Sequence, residues 1–364
     1  LSKDIFKNDF LAIISVLLLE GIFFYNYTTP EFNVNVAQLP FWSLACFFSW
    51  RCLKNDKFFD YVLLGFFIGL GILSKYLFIY LAIGIKFLFV YLIYKKRKIR
   101  ILNVFAAGLV ALLIISPHLI WLSENNFISI NYGLQRTGGL GSITDHFYFP
   151  IMFVLKQIVL LIPFFIMLYF LIDKLKIKKI KMNNKLLFLF FVCIIPIFLM
   201  LCTSFLLGVK IRTMWMTPFY LLTGVLFIEI IGDKLNIKKI KKFAFVFIFF
   251  FLLSPMTYLT VSIISDSKRT DYPGKEIAIL IENRWYKNFS NDIKIVVGDE
   301  WYAGNLSYHL ASRPKWVNDL KGKTSNIKSQ DGVIYTGNPK ILKKICPGIY
   351  GTIKPVGYCM IGKR

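Results

Sequence analysis

The chain is short of acid: 20 Asp and Glu stand against 44 Lys and Arg in 364 residues, with 3 His beside them. On the side read below as exterior, the only carboxylates before Asp266 are Glu31, Glu124 and Asp145, and none has a sequence partner that marks it as a general base. Cysteine is sparse, at 6, with no CxxC pair and no His at ligand spacing, so the usual zinc patterns are excluded. Gly138, Gly139 and Gly141 are flexible turns and not a phosphate loop, because no Lys-Ser/Thr follows and no strand precedes them. There is no nucleophile elbow, no internal repeat, no low-complexity tract and no signal peptide ahead of the first apolar run. The net charge of +24 does not point to nucleic acid, since the cations lie in short clusters between apolar runs.

Hydrocarbon is what the chain has in abundance. Hydrophobic residues make up 56% and the mean hydropathy is +0.60, the range of a polytopic membrane protein. The stretch from Tyr61 to Tyr94 is too long for one crossing, which takes about 20 helical residues, and suits two short ones with a turn at Ser74, Lys75 and Tyr76. Lys75 is a lone cation at that turn; it either snorkels to the interface or meets an anionic headgroup. Within the same hairpin, Gly65 and Gly69 form a GxxxG with Gly71 close by, a pattern for close helix approach.

Apolar runs predict about nine spans: Phe10 to Tyr25, Gln38 to Trp50, Tyr61 to Leu73, Leu77 to Tyr94, Ile101 to Leu122, Phe149 to Ile172, Leu186 to Leu206, Met214 to Ile231 and Phe243 to Ile264. The Gln38 and Tyr61 runs are short enough to be tilted or partly re-entrant. Basic loops at Arg51 to Lys57, Lys95 to Arg100, Lys174 to Lys185 and Lys234 to Lys242 all fall on one side of this path, the cytoplasmic one. An odd number of crossings then exports everything after Ile264. The expected fold is an α-helical polytopic membrane protein, residues 1–265, followed by a small exported α/β domain, residues 266–364. Cys46, Cys52, Cys193 and Cys202 read as packing residues, whereas Cys346 and Cys359 can form one disulfide if their domain lies outside the cytoplasm. The C-terminal domain is expected to handle the acceptor or to support the membrane part.

Chemistry on an anionic lipid at a membrane face needs cations at headgroup depth. Lys75, Lys210 and Arg212 lie at that depth, with Arg136 in the loop from Ser123 to Tyr148. Trp215 and Tyr220 supply aromatic surface for an interfacial belt or for a sugar.

Five stretches, taken in order, carry a resemblance: TPEFNVNVAQLPFW at Thr29 to Trp42, GLGILSKY at Gly69 to Tyr76, SPHLIWLSENNF at Ser116 to Phe127, VKIRTMWMTP at Val209 to Pro218 and GDEWYAGNLSYHLASRP at Gly298 to Pro314. Together they resemble the glycosyltransferase family 39 group, which includes protein O-mannosyltransferases and the bacterial aminoarabinose transferase of lipid A. The resemblance implies the GT-C fold and transfer of a hexose or pentose, with inversion, from a polyprenyl-phosphate donor to a lipid, glycan or protein acceptor. It implies a bacterial inner-membrane location with chemistry on the periplasmic side, membrane lipid as surroundings and no nucleic acid. Lys75 resembles the family's basic residue after the small hairpin, and Lys210 or Arg212 its cation ahead of Trp215; with Arg136 they are the expected donor-phosphate ligands. Glu31, Asn33, Asn35, Tyr76, His118 and Trp215 are the expected cavity residues. The family's general base is an Asp in the first exterior loop; it is expected to lie ahead of Leu1, in a segment this sequence lacks. The family's second acidic position has no match in FNVNVAQ, where Asn33 and Asn35 stand. No cofactor is assigned and a divalent metal is left open. A transporter or lipid flippase would instead place its charges at the midplane of broken, repeated helices. A non-catalytic scaffold subunit is the third class.

Overall fold

A computed structural model describes residues 1–28, 32–137, 142–172, 182–231, 235, 237–265, 271–317, 332–353 and 356–364. The chain divides into two compact units, Leu1–Thr260 and Val261–Arg364.

Among the described residues the regular elements of the first unit are helices, apart from an isolated bridge between Ile172 and Leu235. Its helices are α1 (Ser2–Phe6), α2 (Asp9–Leu17), α3 (Val34–Ala37), α4 (Leu39–Asn55), α5 (Phe58–Ser74), α6 (Ile79–Tyr94), α7 (Ile101–Glu124), α8 (Ile128–Thr137), α9 (Asp145–Tyr169), α10 (Asn184–Leu189), α11 (Ile195–Leu207), α12 (Thr223–Ile231) and α13 (Ile240–Ile264), the last running on past the division. Among the described residues five helical stretches are long and apolar enough to cross a bilayer: Tyr76–Tyr94, Ile101–Glu124, Asp145–Tyr169, Asn184–Leu207 and Ile240–Ile264. A sixth is counted if Thr213–Tyr220 and Thr223–Ile231, bent by 53°, form one broken span.

Helix length alone therefore supports five or six spans, and the other expected runs fold as shorter pieces. The run from Phe10 breaks after α2 into 3-10 turns at Leu18–Gly21 and Phe23–Tyr25, with Ile22 extended between them. The break lies where the backbone passes close to α9: a Cβ on Gly21 would sit 2.6 Å from the Phe164 Cα. α4 and α5 are 17 residues each, short of a full perpendicular crossing. Asn184–Leu207 is continuous but contains a π turn at Phe190–Ile194. Pro196 follows that turn and cannot donate to a carbonyl of the preceding one, and Gly84 of α6 packs against it, where a Cβ would be 2.5 Å from the Phe191 carbonyl oxygen.

The GxxxG does what small residues do in lipid. A Cβ on Gly65 would overlap the Ala107 carbonyl of α7, and one on Gly69 would lie 2.8 Å from the Ile114 Cβ. A Gly65→Val substitution must push α5 and α7 apart, so it is expected to cost about 2 to 3 kcal/mol through overpacking. A fall in the melting temperature of the detergent-solubilised protein reads this directly; an unchanged melt would mean that the α5–α7 interface relaxes freely.

The second unit is α/β. Its helices are α14 (Gly274–Tyr286), α15 (Tyr302–His309) and α16 (Pro339–Ile345), and its strands β1 (Ile295–Val297), β2 (Lys315–Val317), β3 (Val333–Gly337), β4 (Ile349–Ile353) and β5 (Val356–Ile361). The sheet order is β2-β1-β3-β5-β4, with β1 parallel to β2 and β3 and with β5 antiparallel to β3 and β4. Trp285, Val296, Ile334 and Met360 are fully buried at its centre. The expected short strands and the helix over Lys275 to Tyr286 are present, and Cys346 and Cys359 are joined in a disulfide. The remaining cysteines, Cys46, Cys52, Cys193 and Cys202, are free thiols, all but Cys202 buried.

Candidate functional site

Lys75 is the natural starting point, because the sequence makes it the one cation between two apolar helices. α5 ends at Ser74, whose hydroxyl donates back to the Gly71 carbonyl at 2.7 Å. Lys75 itself is extended, with φ −165° and ψ 133°, and its N–H also reaches the Gly71 carbonyl, at 3.1 Å. The next turn, Tyr76–Phe78, is 3-10 and leads into α6. This turn is held from below. Phe78 is fully buried, packs edge-on against Trp42 and overlies Gly71 so closely that no Cβ fits there. Trp42 in turn meets Phe219 at 4.9 Å between ring centroids.

That packing fixes where the Lys75 side chain goes. Its ammonium donates to Oδ1 of Asn35 and lies 5.3 Å from the centroid of the Trp215 ring. Asn35 is 3% exposed, and its amide donates to Oδ1 of Asn33 at 2.9 Å; the same Asn33 oxygen caps α3 by accepting from the Asn35 N–H. Burial pushes the Lys75 ammonium down to about 7 from its usual value. Its partners among the described residues are a neutral amide and a ring face, not a carboxylate.

A second group adjoins through the chain. The Tyr76 hydroxyl sits 2.6 Å from Nε2 of His118 and 2.7 Å from Oγ of Ser129, and the His118 ring stacks on Trp121. α3, the 75–78 turn, the end of α7, the start of α8 and the 3-10 segment Thr213–Tyr220 thus contribute to two linked polar clusters on an otherwise apolar frame. The Thr213–Tyr220 segment is anchored by Tyr25, whose hydroxyl donates to the Thr217 carbonyl, and by Tyr220, whose hydroxyl donates to Gln157 at 2.8 Å.

Of the residues expected to bind the donor phosphate or line its cavity, Lys75, Asn33, Asn35 and Trp215 come together in the first cluster, and Tyr76 and His118 in the second. Lys210 is exposed, its backbone N–H bonded to the Thr137 carbonyl at 3.1 Å, and Arg212 is half-buried, its carbonyl accepting from the Trp215 N–H. Neither side chain joins the Lys75 cluster among the described residues. Arg136 belongs to α8, but its side chain lies outside the described residues, as does Glu31 entirely. Sequence reading passed over Ser129 and Gln38. Gln38 is fully buried just past α3, and neither its amide nitrogen nor its oxygen has a hydrogen-bond partner among the described residues. An isolated amide at the head of an apolar run was the signal available for it; for Ser129, in a polar loop, there was none.

Among the described residues no three His, Cys, Asp or Glu side chains gather into a group that could hold a metal ion. A cavity of about 690 Å³ opens at the N-terminal helix, lined by Leu1, Lys3, Asp4, Lys7 and Asp9. It shares no residue with the Lys75 cluster.

Residues 1–121, which include the Lys75 turn, Asn33, Asn35, Tyr76 and His118, match the family model described as dolichyl-phosphate-mannose-protein mannosyltransferase. No curated protein and no solved structure matches the chain. The matched stretch is about a third of the chain and stops short of Trp215, Lys210 and Arg212, so their placement rests on geometry alone. Over residues 1–121 the chain is therefore similar to this mannosyltransferase family, and its helical, membrane-spanning architecture is compatible with that similarity.

Proposed function

We propose that the protein transfers a sugar from a polyprenyl-phosphate donor to an acceptor hydroxyl on the periplasmic side of a bacterial inner membrane, with Lys75 pairing with the donor phosphate. The observation that carries this reading is the half-buried Lys75 ammonium, set between an amide and an indole face with no carboxylate paired to it among the described residues. In the reaction the acceptor oxygen forms a bond to the anomeric carbon, the bond from that carbon to the phosphate oxygen breaks, and the hydroxyl proton passes to water. The donor phosphodiester becomes a phosphomonoester carrying an added negative charge. A cation already desolvated at that oxygen favours the transition state more than the ground state, because the charge it meets grows as the bond breaks. Attack opposite the leaving phosphate inverts the anomeric centre. Trp215, the buried amides and Tyr76 line the donor's polar end, and Lys210, Arg212 and Arg136 supply a wider field of positive charge.

The exported placement of the second unit is supported by the side shared by the basic loops and by the Cys346–Cys359 disulfide, a bond of oxidising compartments. The acceptor is a hydroxyl of a lipid, a glycan or a protein. The bend of 53° between Thr213–Tyr220 and Thr223–Ile231 favours a second reading, a lipid transporter built on a broken helix. The two readings part on bond cleavage: a transferase releases polyprenyl phosphate, and a transporter leaves the donor intact.

Turnover against pH tests the proposal. The donor phosphodiester is fully ionised across the neutral range, so a pH effect on donor use comes from the protein. Lys75 in the ligand-free protein holds its proton below about 7 and loses it above. Apparent donor affinity, measured as kcat/KM for release of polyprenyl phosphate by membranes containing the protein, should fall as pH rises through 7, by up to about ten-fold per unit. Saturating donor restores the proton by pairing with it, so kcat should change less than kcat/KM. A flat kcat/KM from pH 6 to 9 would remove Lys75 from the phosphate, and an uncleaved donor would remove the transferase reading.

A further inference from the structure

The second unit has a crevice that the reading above does not use. β1 leads through α15 to β2 on one side of it, while β3 pairs on the other side, so the carboxyl ends of β1 and β3 flank a topological switch point. In open parallel sheets that is where ligands sit. At the end of β1, Gly298 takes φ +154°, and a Cβ there would strike the Thr336 hydroxyl from β3, so only glycine allows the two strand ends to close this tightly. Thr336 is 2% exposed and its Oγ1 has no hydrogen-bond partner among the described residues. It lines a cavity of about 20 Å³ with Tyr272, Tyr302, Leu306 and Tyr358. That is room for one hydroxyl or one water.

Three half-buried aromatic rings stand beside this cavity: Tyr272 lies 5.7 Å from Trp301 and 5.8 Å from Tyr302, centroid to centroid. Asp299 lies close by. One of its oxygens accepts from the Trp301 and Tyr302 N–H groups, at 2.8 and 2.7 Å, at the start of α15. Burial, with Tyr302 and Asp299 near it, raises the Tyr272 phenol to about 12, so it stays protonated and able to donate. The free N–H groups of a helix start would suit phosphate. Here Asp299 already takes two of them and Glu300 follows, so an anion is disfavoured and a neutral partner with many hydroxyls is favoured.

We propose that this crevice binds a neutral pyranose of the acceptor glycan, the C–H face of the ring lying on Tyr272, Trp301 and Tyr302, its hydroxyls donating to Asp299, and one hydroxyl entering the cavity to meet Thr336. The stacked face gives apolar contact, and the hydroxyls pair with a carboxylate and an otherwise orphaned buried threonine. The inference rests on the acceptor side of the proposed function and places part of its recognition in the second unit.

Saturation-transfer NMR on the full chain in detergent, with methyl α-mannopyranoside as probe, tests it. The pyranose ring protons should receive saturation from the protein. Trp301→Ala should weaken binding about ten-fold or more, as losing a buried aromatic anchor does. Thr336→Val keeps the shape and removes a hydroxyl that has no partner among the described residues, so it should leave the melting temperature unchanged or raised while weakening binding about three- to ten-fold. Inorganic phosphate should not displace the glycoside. Saturation unaffected by both substitutions, or displacement by phosphate, overturns the proposal. Because the readout is binding and not turnover, the two readings fail separately. Release of polyprenyl phosphate without site-dependent saturation sinks only the crevice, and site-dependent saturation without release sinks only the transferase.

Discussion

Replacing Lys75 with Met is expected to lower kcat/KM for the polyprenyl-phosphate sugar by about 10- to 150-fold, the equivalent of one charge-assisted contact of roughly 1.5 to 3 kcal/mol. Met keeps the length and apolar stem of lysine and preserves packing against the Trp215 face, so the loss reports on charge and not on volume. A reduction short of complete loss is expected because a single charge-assisted contact is only part of what the proposed site offers the donor. The same substitution should stabilise the ligand-free protein. Lys75 is lowered from its usual value to about 7 in the folded chain, so between pH 7 and 10.5 the unfolded chain binds the extra proton and stability rises with pH. Below 7 the full cost of holding a desolvated ammonium is present, and Met removes it. Slower turnover with a higher melting temperature below pH 7 is the signature of a cation held for a ligand. Slower turnover with a lower melting temperature would make Lys75 a structural residue that positions the 75–78 turn, and unchanged turnover would return it to an interfacial, snorkelling role.

The legibility of this chain in its sequence follows the range of the forces involved. Apolar runs announce membrane helices because burial in lipid depends on composition over about 20 residues, and the runs from Ile101, Phe149, Leu186 and Phe243 each became one long helical stretch. Breaks within a run depend on what another helix does. Nothing local at Ile22 says that Phe164 will press on Gly21, and nothing in FFVCI says that Gly84 will come close enough to widen the turn ahead of Pro196. The GxxxG was readable because glycine spacing is itself the contact rule, and Gly65 and Gly69 both meet α7. At the site, the lone charge between two apolar segments identified Lys75. Its partners Asn35 and Trp215 were reached through resemblance, since they lie 40 and 140 residues away and no periodicity links them. Ser129 carries no such signal, and the amide of Gln38 at the head of an apolar run carries only a weak one, because an isolated polar side chain acquires meaning only once its burial is known.

Removing the Asp60 carboxylate by Asp60→Ala is expected to destabilise the first unit by about 2 to 3 kcal/mol, below the 3 to 5 expected for a fully buried pair. Asp60 lies in the first turn of α5 with its side chain 3% exposed, and Oδ1 stands 2.9 Å from Nε of Arg51 on α4 as an ion pair without hydrogen-bond alignment. Arg51 is 38% exposed and its guanidinium rests over Phe47 and Phe48, so part of its charge is already solvated and the penalty for stranding it is discounted accordingly. The loop beside the pair is tight. Asp56 takes φ 49° to close α4, accepts from the Tyr61 hydroxyl at 2.8 Å and stands 3.7 Å from Arg100, so it cannot swing over to replace Asp60 without giving up those contacts. The other Asp60 oxygen has no hydrogen-bond partner among the described residues, which makes the pair incompletely satisfied and costly for its worth. Replacing both partners, Arg51→Met with Asp60→Leu, should therefore recover most of the loss or exceed the parent, because it removes both desolvated charges and keeps the volume. Thermal unfolding of the three variants in one detergent decides the matter. If Asp60→Ala melts with the parent, the pair contributes no more than a surface ion pair. If the double substitution falls as far as the single one, the carboxylate acts at the start of α5 through the helix dipole and not through Arg51. In the expected outcome the pair is a pin that sets α4 against α5 at the end of α5 opposite Lys75, and the double variant should then keep the parent's donor kcat/KM while Asp60→Ala lowers it.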